Sequence, residues 1–229
     1  MSQALFKQAE DTARQGNPSE ALSLCAQILS ESPDHHATWL LQCRLQRERQ
    51  HLDAALASAQ HALKLAPKAA ESHAEAAATY YAMRNHYPAV QHYYKAHELA
   101  PQEAEYPYQM GLIMQIMAKH EEAIQCFMKA LTLDRSMTKA FNRLGTVLAD
   151  AGRYEEAILA FHRALKLAPD DKDVHANLAS TYIQCGRIDE AVASYRRASE
   201  LAPNEPEIEG RYIFASNYLP ALTAGDKQA

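Results

Sequence analysis

The sequence predicts an all-α protein built as a stack of helix pairs, and three observations lead there. The first is composition: 229 residues with only 7 glycines and 10 prolines, 48% apolar and 22% charged. So few turn makers, among so many good helix formers, disfavour numerous evenly spaced strands. The apolar share is too high for a disordered chain. The second is periodicity: Pro33, Pro67, Pro101, Pro169 and Pro203 lie on one 34-residue grid, interrupted only by Arg135. The third is the pattern between grid points. Two apolar stripes of helical period flank a short polar break, such as Asp150–Arg153 or Gln184–Arg187.

Three columns stay in phase with the grid. One holds Ala21, Ala55, Ala89, Ala123, Ala157 and Ala191; the next holds Cys25, Ala59, Tyr93, Phe127, Phe161 and Tyr195. The third is Ile28, Ala62, Ala96, Ala130, Ala164 and Ala198. Units therefore run 2–35, 36–69, 70–103, 104–137, 138–171 and 172–205, each a first helix, a turn and a second helix. Gly16, Gly152 and Gly186 occupy the turn, where a positive φ ends the first helix. Gly111 and Gly145 lie inside first helices, where glycine costs roughly 1 kcal/mol relative to alanine, and close helix approach is the expected compensation. The pairs Glu121–Glu122, Glu155–Glu156 and Asp189–Glu190 suit the positive end of the second helices. Lys64, Lys95, Lys129, Lys166 and Arg197 suit the opposite end. Pro88 takes an early helical position in the third unit. Residues 206–219 read as a further helix, whose stripe of Ile208, Tyr212, Ala215 and Leu219 caps the last unit. Residues 220–229 read as a tail or linker.

This pattern resembles the tetratricopeptide repeat (TPR). The fifth unit carries it in Phe141, Leu144, Gly145, Leu148, Ala157, Phe161, Ala164 and Pro169. The sixth does so in His175, Leu178, Ala179, Tyr182, Ala191, Tyr195, Ala198 and Pro203, whereas the second keeps Trp39 but departs at Gln42, Cys43 and Gln46. The resemblance covers residues 2–205 and implies a right-handed superhelical solenoid, with first helices lining a concave face and second helices a convex one. The segment GRYIFASNYLPAL is similar to the stretch that follows the last repeat in bacterial O-GlcNAc-transferase-like (SPINDLY-type) proteins, through Asn217, Tyr218 and Pro220. It carries no catalytic residue.

Several function classes find no support. A formal charge of −5 gives no basic excess for nucleic acid. Cys25, Cys43, Cys126 and Cys185 show no metal or redox spacing and read as small apolar fillers. Of the histidines, His73 and His175 occupy the aromatic packing column, His35 and His36 a unit junction, and His51, His86 and His120 turns, so no metal site is expected. No phosphate-cradling glycine loop and no nucleophile or zinc-protease motif is present. The reading is therefore of a non-enzyme without cofactors. No apolar run reaches the ~18 residues of a membrane span, and the first residues lack a signal-peptide core. A cytoplasmic protein is expected. Arg44, Arg47 and Arg49 with Glu48 read as an exposed charged face.

The candidate binding residues come from the aromatics that miss the packing columns. Tyr81 and Tyr108 do so, and the family geometry directs both into the concave groove. With Leu112 and Ile116 they form an expected apolar floor. Lys139, Asn142 and Arg143 are expected beside it, with Asn177 one unit further on. Lys139 and Arg143 share a helix face and match the last basic pair of the carboxylate clamp in TPR co-chaperones. The rest of that clamp is missing, with Ala74, Ala78 and Gln109 at its other positions. A pocket for a carboxylate or acidic side chain remains, since arginine binds carboxylate in bidentate geometry. The expected function is a protein-interaction scaffold that binds an extended peptide or partner helix in the groove. Two alternatives stand beside it. One is the substrate-recruiting arm of an O-GlcNAc-transferase-like enzyme whose catalytic domain is absent from this chain; the other is a solenoid that self-assembles into a homo-oligomer through its terminal helix or groove.

Overall fold

The computed structural model of the chain describes residues 2–217, and among them all regular structure is helical. Six helix pairs follow one another: α1 (Ser2–Arg14) and α2 (Pro18–Glu31), α3 (His36–Glu48) and α4 (Leu52–Leu65), α5 (Ala70–Ala82) and α6 (His86–Leu99). Then come α7 (Glu105–Ile116) and α8 (His120–Leu133), α9 (Thr138–Asp150) and α10 (Tyr154–Leu167), α11 (Lys172–Gln184) and α12 (Ile188–Leu201), and a final α13 (Pro206–Asn217). The chain forms two compact units, Met1–Ile113 and a second beginning at Met114.

Within each unit the packing joins consecutive helices and, less extensively, the first helices of adjacent pairs (α1 with α3, α3 with α5, α9 with α11). In the first, α1 packs on α2, α3 on α4 and α5 on α6, while α2 meets α3 and α4 meets α5. In the second, α9 packs on α10 and α11 on α12; α8 meets α9, α10 meets α11, and α12 meets α13. This is solenoid packing, in which a helix pair buries its apolar stripe only against the next pair. The in-phase alanines leave room for close approach in these contacts. Ala21, Ala55, Ala89, Ala123, Ala157 and Ala191 are all fully buried. Gly145 has the same cause: a Cβ there would lie 2.6 Å from Cε1 of Phe161, itself fully buried.

The inter-helix turns repeat one geometry. Gly16, Gly152 and Gly186 have φ of 81°, 74° and 72°, which glycine adopts without steric cost. The three units without glycine adopt the same left-handed conformation at Gln50 (62°), Arg84 (57°) and Ala118 (55°). In all six turns the next residue's N–H returns to the carbonyl five residues before it, from Asn17 to Thr12 through Arg187 to Tyr182. That is the Schellman closure, which satisfies a carbonyl at the end of the first helix.

The grid prolines have a second role. Trp39 Nε1 donates to the Pro33 carbonyl at 2.8 Å, and Nε2 of His73 and of His175 donate to Pro67 and Pro169 at 3.1 and 2.9 Å. In these three units the ring six residues after the proline thus pins the linker before it, whereas Pro107 takes that position in the fourth unit. Where Arg135 interrupts the grid, Phe141 stands at the ring position and has no donor. Asp134 shapes that linker instead, its Oδ1 accepting from Ser136 N at 2.8 Å and Ser136 Oγ at 2.6 Å, which holds its carboxyl below the usual range.

The structure corrects two charge assignments. Lys64 and Lys166 lie in the last turn of their helices, but Lys95, Lys129 and Arg197 sit a turn earlier. Lys95 pairs with Glu98, and Arg197 with Asp170 and Glu200. Nor is the arginine run of α3 a free face. Arg44 and Arg47 both reach Glu75 on α5, at 2.9 and 2.7 Å, and Arg49 donates to Ser19 Oγ. Cys25 and Cys43 are buried as expected of apolar fillers, whereas Cys126 and Cys185 are half-buried, and burial pushes the Cys25 and Cys126 thiols up to about 11. Helix α13 seals the last pair with Ile208 and Ala215 against Tyr195, Ala198 and Ala202, Tyr212 packing alongside. Leu219 and the tail 220–229 lie outside the described residues.

Candidate functional site

The expected binding residues fall in both units. Tyr81, Tyr108 and Leu112 belong to the first, and Ile116, Lys139, Asn142, Arg143 and Asn177 to the second. Tyr81 is half-buried on α5, its ring 6.2 Å from that of His86. Leu112 is half-buried as well. Tyr108 is only 6% exposed, with Pro107, Gly111 and Ile113 as further buried residues of α7. It offers little ring surface to a ligand, so the expectation of an open aromatic anchor there narrows to Tyr81. Ile116, at the end of α7, is exposed.

The second unit holds the best-formed polar site. Asn177 Nδ2 on α11 donates to Asn142 Oδ1 on α9 at 3.0 Å. Both amides are half-buried. Each carries an oxygen and two N–H donors, so the pair keeps free capacity of both kinds on the α9 and α11 side. Beyond it a cleft of about 400 Å³ is lined by Thr146, Tyr154, Ser180, Thr181 and Gln184. Thr146 and Thr181 donate their hydroxyl protons to the carbonyls of Asn142 and Asn177, which leaves their lone pairs as acceptors. Tyr154 OH donates to Gln184 Oε1 at 3.3 Å. Lys139 and Arg143 are exposed on α9, and no described residue pairs with Arg143.

Sequence reasoning found the two asparagines and the basic pair but missed Thr146, Ser180, Gln184 and Tyr154. The signal was available in part: Thr146 and Ser180 are 34 residues apart, one turn beyond Asn142 and one residue short of a turn beyond Asn177. Among the described residues, no group of three or more His, Cys, Asp or Glu could hold a metal ion. No described helix is long and apolar enough to cross a membrane.

Comparison with known families decides what this architecture is. Models of the tetratricopeptide repeat match residues 6–70, 104–137 and 148–210, together well over half the chain. The chain belongs to the tetratricopeptide-repeat family. Solved structures agree. PilW, a widely conserved type IV pilus biogenesis factor, is 16% identical with a TM-score of 0.83, over 91% of this TPR chain and 97% of PilW. PilF of Pseudomonas aeruginosa is also 16% identical, with a TM-score of 0.78 over 91% and 95% of the two chains. YrrB, described as a TPR protein with an unusual peptide-binding site, is 20% identical with a TM-score of 0.66 over 81% and 96%. Likeness at these identities is likeness of fold. No curated protein sequence matches this TPR chain significantly.

Proposed function

We propose that the chain is a non-catalytic protein-interaction scaffold that holds an extended peptide along the first helices of its repeats. The observation that carries this reading is the Asn142–Asn177 pair at the edge of the α9/α11 cleft. An extended backbone presents alternating N–H and C=O groups, and the unused donors and acceptors of two adjacent amides complement them. Arg143 supplies a cation for a carboxylate on the same helix, and Ile116 an exposed apolar contact in the same unit. Tyr81 and Leu112 are the corresponding apolar candidates of the first unit.

Selection of random peptides against the wild-type chain, followed by fluorescence anisotropy of the selected peptide, tests this. Two or three hydrogen bonds worth about 0.5–1.5 kcal/mol each are at stake. Asn142→Ala/Asn177→Ala is therefore expected to weaken binding roughly ten- to a hundredfold. Arg143→Gln is expected to remove most of the salt dependence, since exposed charges are screened within about 8 Å near physiological ionic strength. A selected peptide that binds the double asparagine variant as tightly as wild type would sink the reading.

The glycosyltransferase-arm reading rests on Asn217, Tyr218 and Pro220. Asn217 closes α13, and the other two lie outside the described residues. Self-assembly has one observation in its favour, the exposure of Ile213 and Phe214 on α13. Sedimentation across a concentration series separates an assembling solenoid from a monomeric scaffold.

A further inference from the structure

On the second-helix side of the C-terminal unit, α8 and α10 flank a second groove, of about 240 Å³. Ile124 and Met128 line it from α8, Phe141 and Leu148 from α9, and Leu159 from α10. Met128 is 54% and Leu159 66% exposed, far more than apolar residues in a packed solenoid need to be.

The repeat supplies its own controls, because three other places that each lie within one of the two units are equivalent by multiples of 34 residues. In each, a hydrogen bond links side chains at the equivalent positions. Between α2 and α4 the ring of Trp39 stacks on His61 at 4.3 Å, and Ser58 Oγ donates to Gln46 Oε1 at 2.8 Å. Between α4 and α6 His73 and His92 are hydrogen-bonded at 3.1 Å, and Tyr80 stacks on His92. Between α10 and α12 His162 and the Tyr182 hydroxyl are hydrogen-bonded at 3.1 Å. Only between α8 and α10, among these four, do apolar side chains stand at the same positions with no such link.

The charge at the groove's end differs in the same way. Arg163 lies at the position of Lys95, which pairs with Glu98, and of Arg197, which pairs with Asp170 and Glu200. The residues equivalent to Asp170 and Glu200 are Ser136 and Lys166. Arg163 and Lys166 are thus two exposed cations one turn apart, and no described residue pairs with either. At the other end Arg153 is already engaged with Glu156 at 2.8 Å.

We infer that the α8/α10 groove docks a short amphipathic helix of a partner protein, with large apolar side chains on one face and an acidic residue toward Arg163 and Lys166. A cavity of ~150 Å³ admits a benzene ring, so this groove takes a phenylalanine or leucine side chain. A helix laid between two others presents such anchors at i and i+4. The single-ended positive charge sets its direction.

The probe is a labelled, helix-stapled peptide of about twelve residues, roughly 18 Å long as a helix. It carries Leu and Phe at i and i+4 and Glu one turn beyond, and a second version carries Gln for Glu. Saturable shifts are expected in the methyl NMR signals of Ile124, Met128 and Leu159. Leu159→Ser, at an exposed position that does not threaten folding, is expected to weaken binding at least about tenfold. The Glu version is expected to bind about three- to fivefold more tightly, as an exposed charge pair allows. Arg163→Gln/Lys166→Gln should abolish that preference. No saturable shift up to about 1 mM peptide, where binding is worth only about 4 kcal/mol, overturns the proposal. So does an affinity that Leu159→Ser leaves unchanged. A concentration-dependent dimer dissolved by Leu159→Ser would also overturn it, because a second copy would then be the occupant.

Discussion

Gly145→Ala and Gly210→Ala make the same chemical change in two helices, and the structure assigns them opposite signs. At Gly145 the new Cβ would lie 2.6, 2.8 and 2.8 Å from Cε1, Cδ1 and Cζ of Phe161. Such separations are well inside carbon–carbon contact, and Phe161 is fully buried in the α9/α10 interface. The ring must shift or the helices must part. Overpacking of this kind costs roughly 1–3 kcal/mol, against a helix-propensity gain of up to ~1 kcal/mol for alanine over glycine. The net expectation is a loss of about 1–2 kcal/mol, which for a chain of this size lowers Tm by roughly 2–8 °C. At Gly210, on α13, nothing lies within 4 Å of the new Cβ. Only the propensity gain remains there, and it should appear as slower hydrogen exchange in α13. Phe161→Leu supplies the coupling test: combined with Gly145→Ala it should cost less than the sum of the two single changes. If Gly145→Ala leaves the melt unchanged, or shows no coupling to Phe161→Leu, glycine is not there for close approach.

Ala118→Gly, at a left-handed turn residue, should raise stability by about 0.5–1 kcal/mol, because left-handed strain of roughly 1–2 kcal/mol is relieved against a smaller unfolded-state entropy; Gly152→Ala should lower it by a similar amount in urea melts. Glu75→Ala should cost about 1–3 kcal/mol, since Glu75 and Arg47 are only 13% and 19% exposed and the guanidinium would lose its partner; chemical denaturation measures it. Burial, and then the neighbouring His73, hold His92 below the ordinary histidine value of 6.5. The unfolded chain therefore takes up the proton first: this contribution to stability is full above about pH 6.5 and is lost as pH falls through the depressed value. The ring signals of His92 in an NMR titration, and a flatter pH dependence of stability in His92→Gln, check it.

Much of this fold is written in columns of residues, and what escaped the sequence reading is what a column does not encode. Glycine marks a left-handed turn by its type, so Gly16, Gly152 and Gly186 were legible. Gln50, Arg84 and Ala118 adopt the same φ only because the flanking helices impose it. The arginines of α3 looked solvated because Glu75 is 28 and 31 residues away in sequence, and an ion pair across two helices leaves no local trace. Asn142 and Asn177 were found by their place beside the expected floor, Asn142 between Lys139 and Arg143 and Asn177 one unit further on. Thr146, Ser180 and Gln184 join them through packing, and such common polar residues carry no signal alone. The burial of Tyr108 was hidden for a related reason: missing a packing column does not put a side chain at the surface.

The same columns separate what a repeat needs from what one place adds. An alanine buried in all six units is structural, and so is a turn that closes identically on glycine, glutamine, arginine or alanine. A set of departures that coincides in one place has no such account. Four coincide in the fourth and fifth units. Arg135 replaces the grid proline, and Phe141 replaces a ring that in the second, third and sixth units donates to the proline carbonyl. Ser136 and Lys166 replace the two acids that neutralise the equivalent arginine one unit later. Each change alone is a tolerable substitution. Together they accompany one groove that is apolar, open and positive at one end, while three counterparts within the two units carry hydrogen bonds or stacked rings at the same positions. Closing it would be chemically simple, since Met128→His and Leu148→Tyr would reproduce the pair found between α10 and α12. If that double variant melts higher than wild type and no longer binds the stapled helix, the open groove is a departure that binding, and not stability, explains.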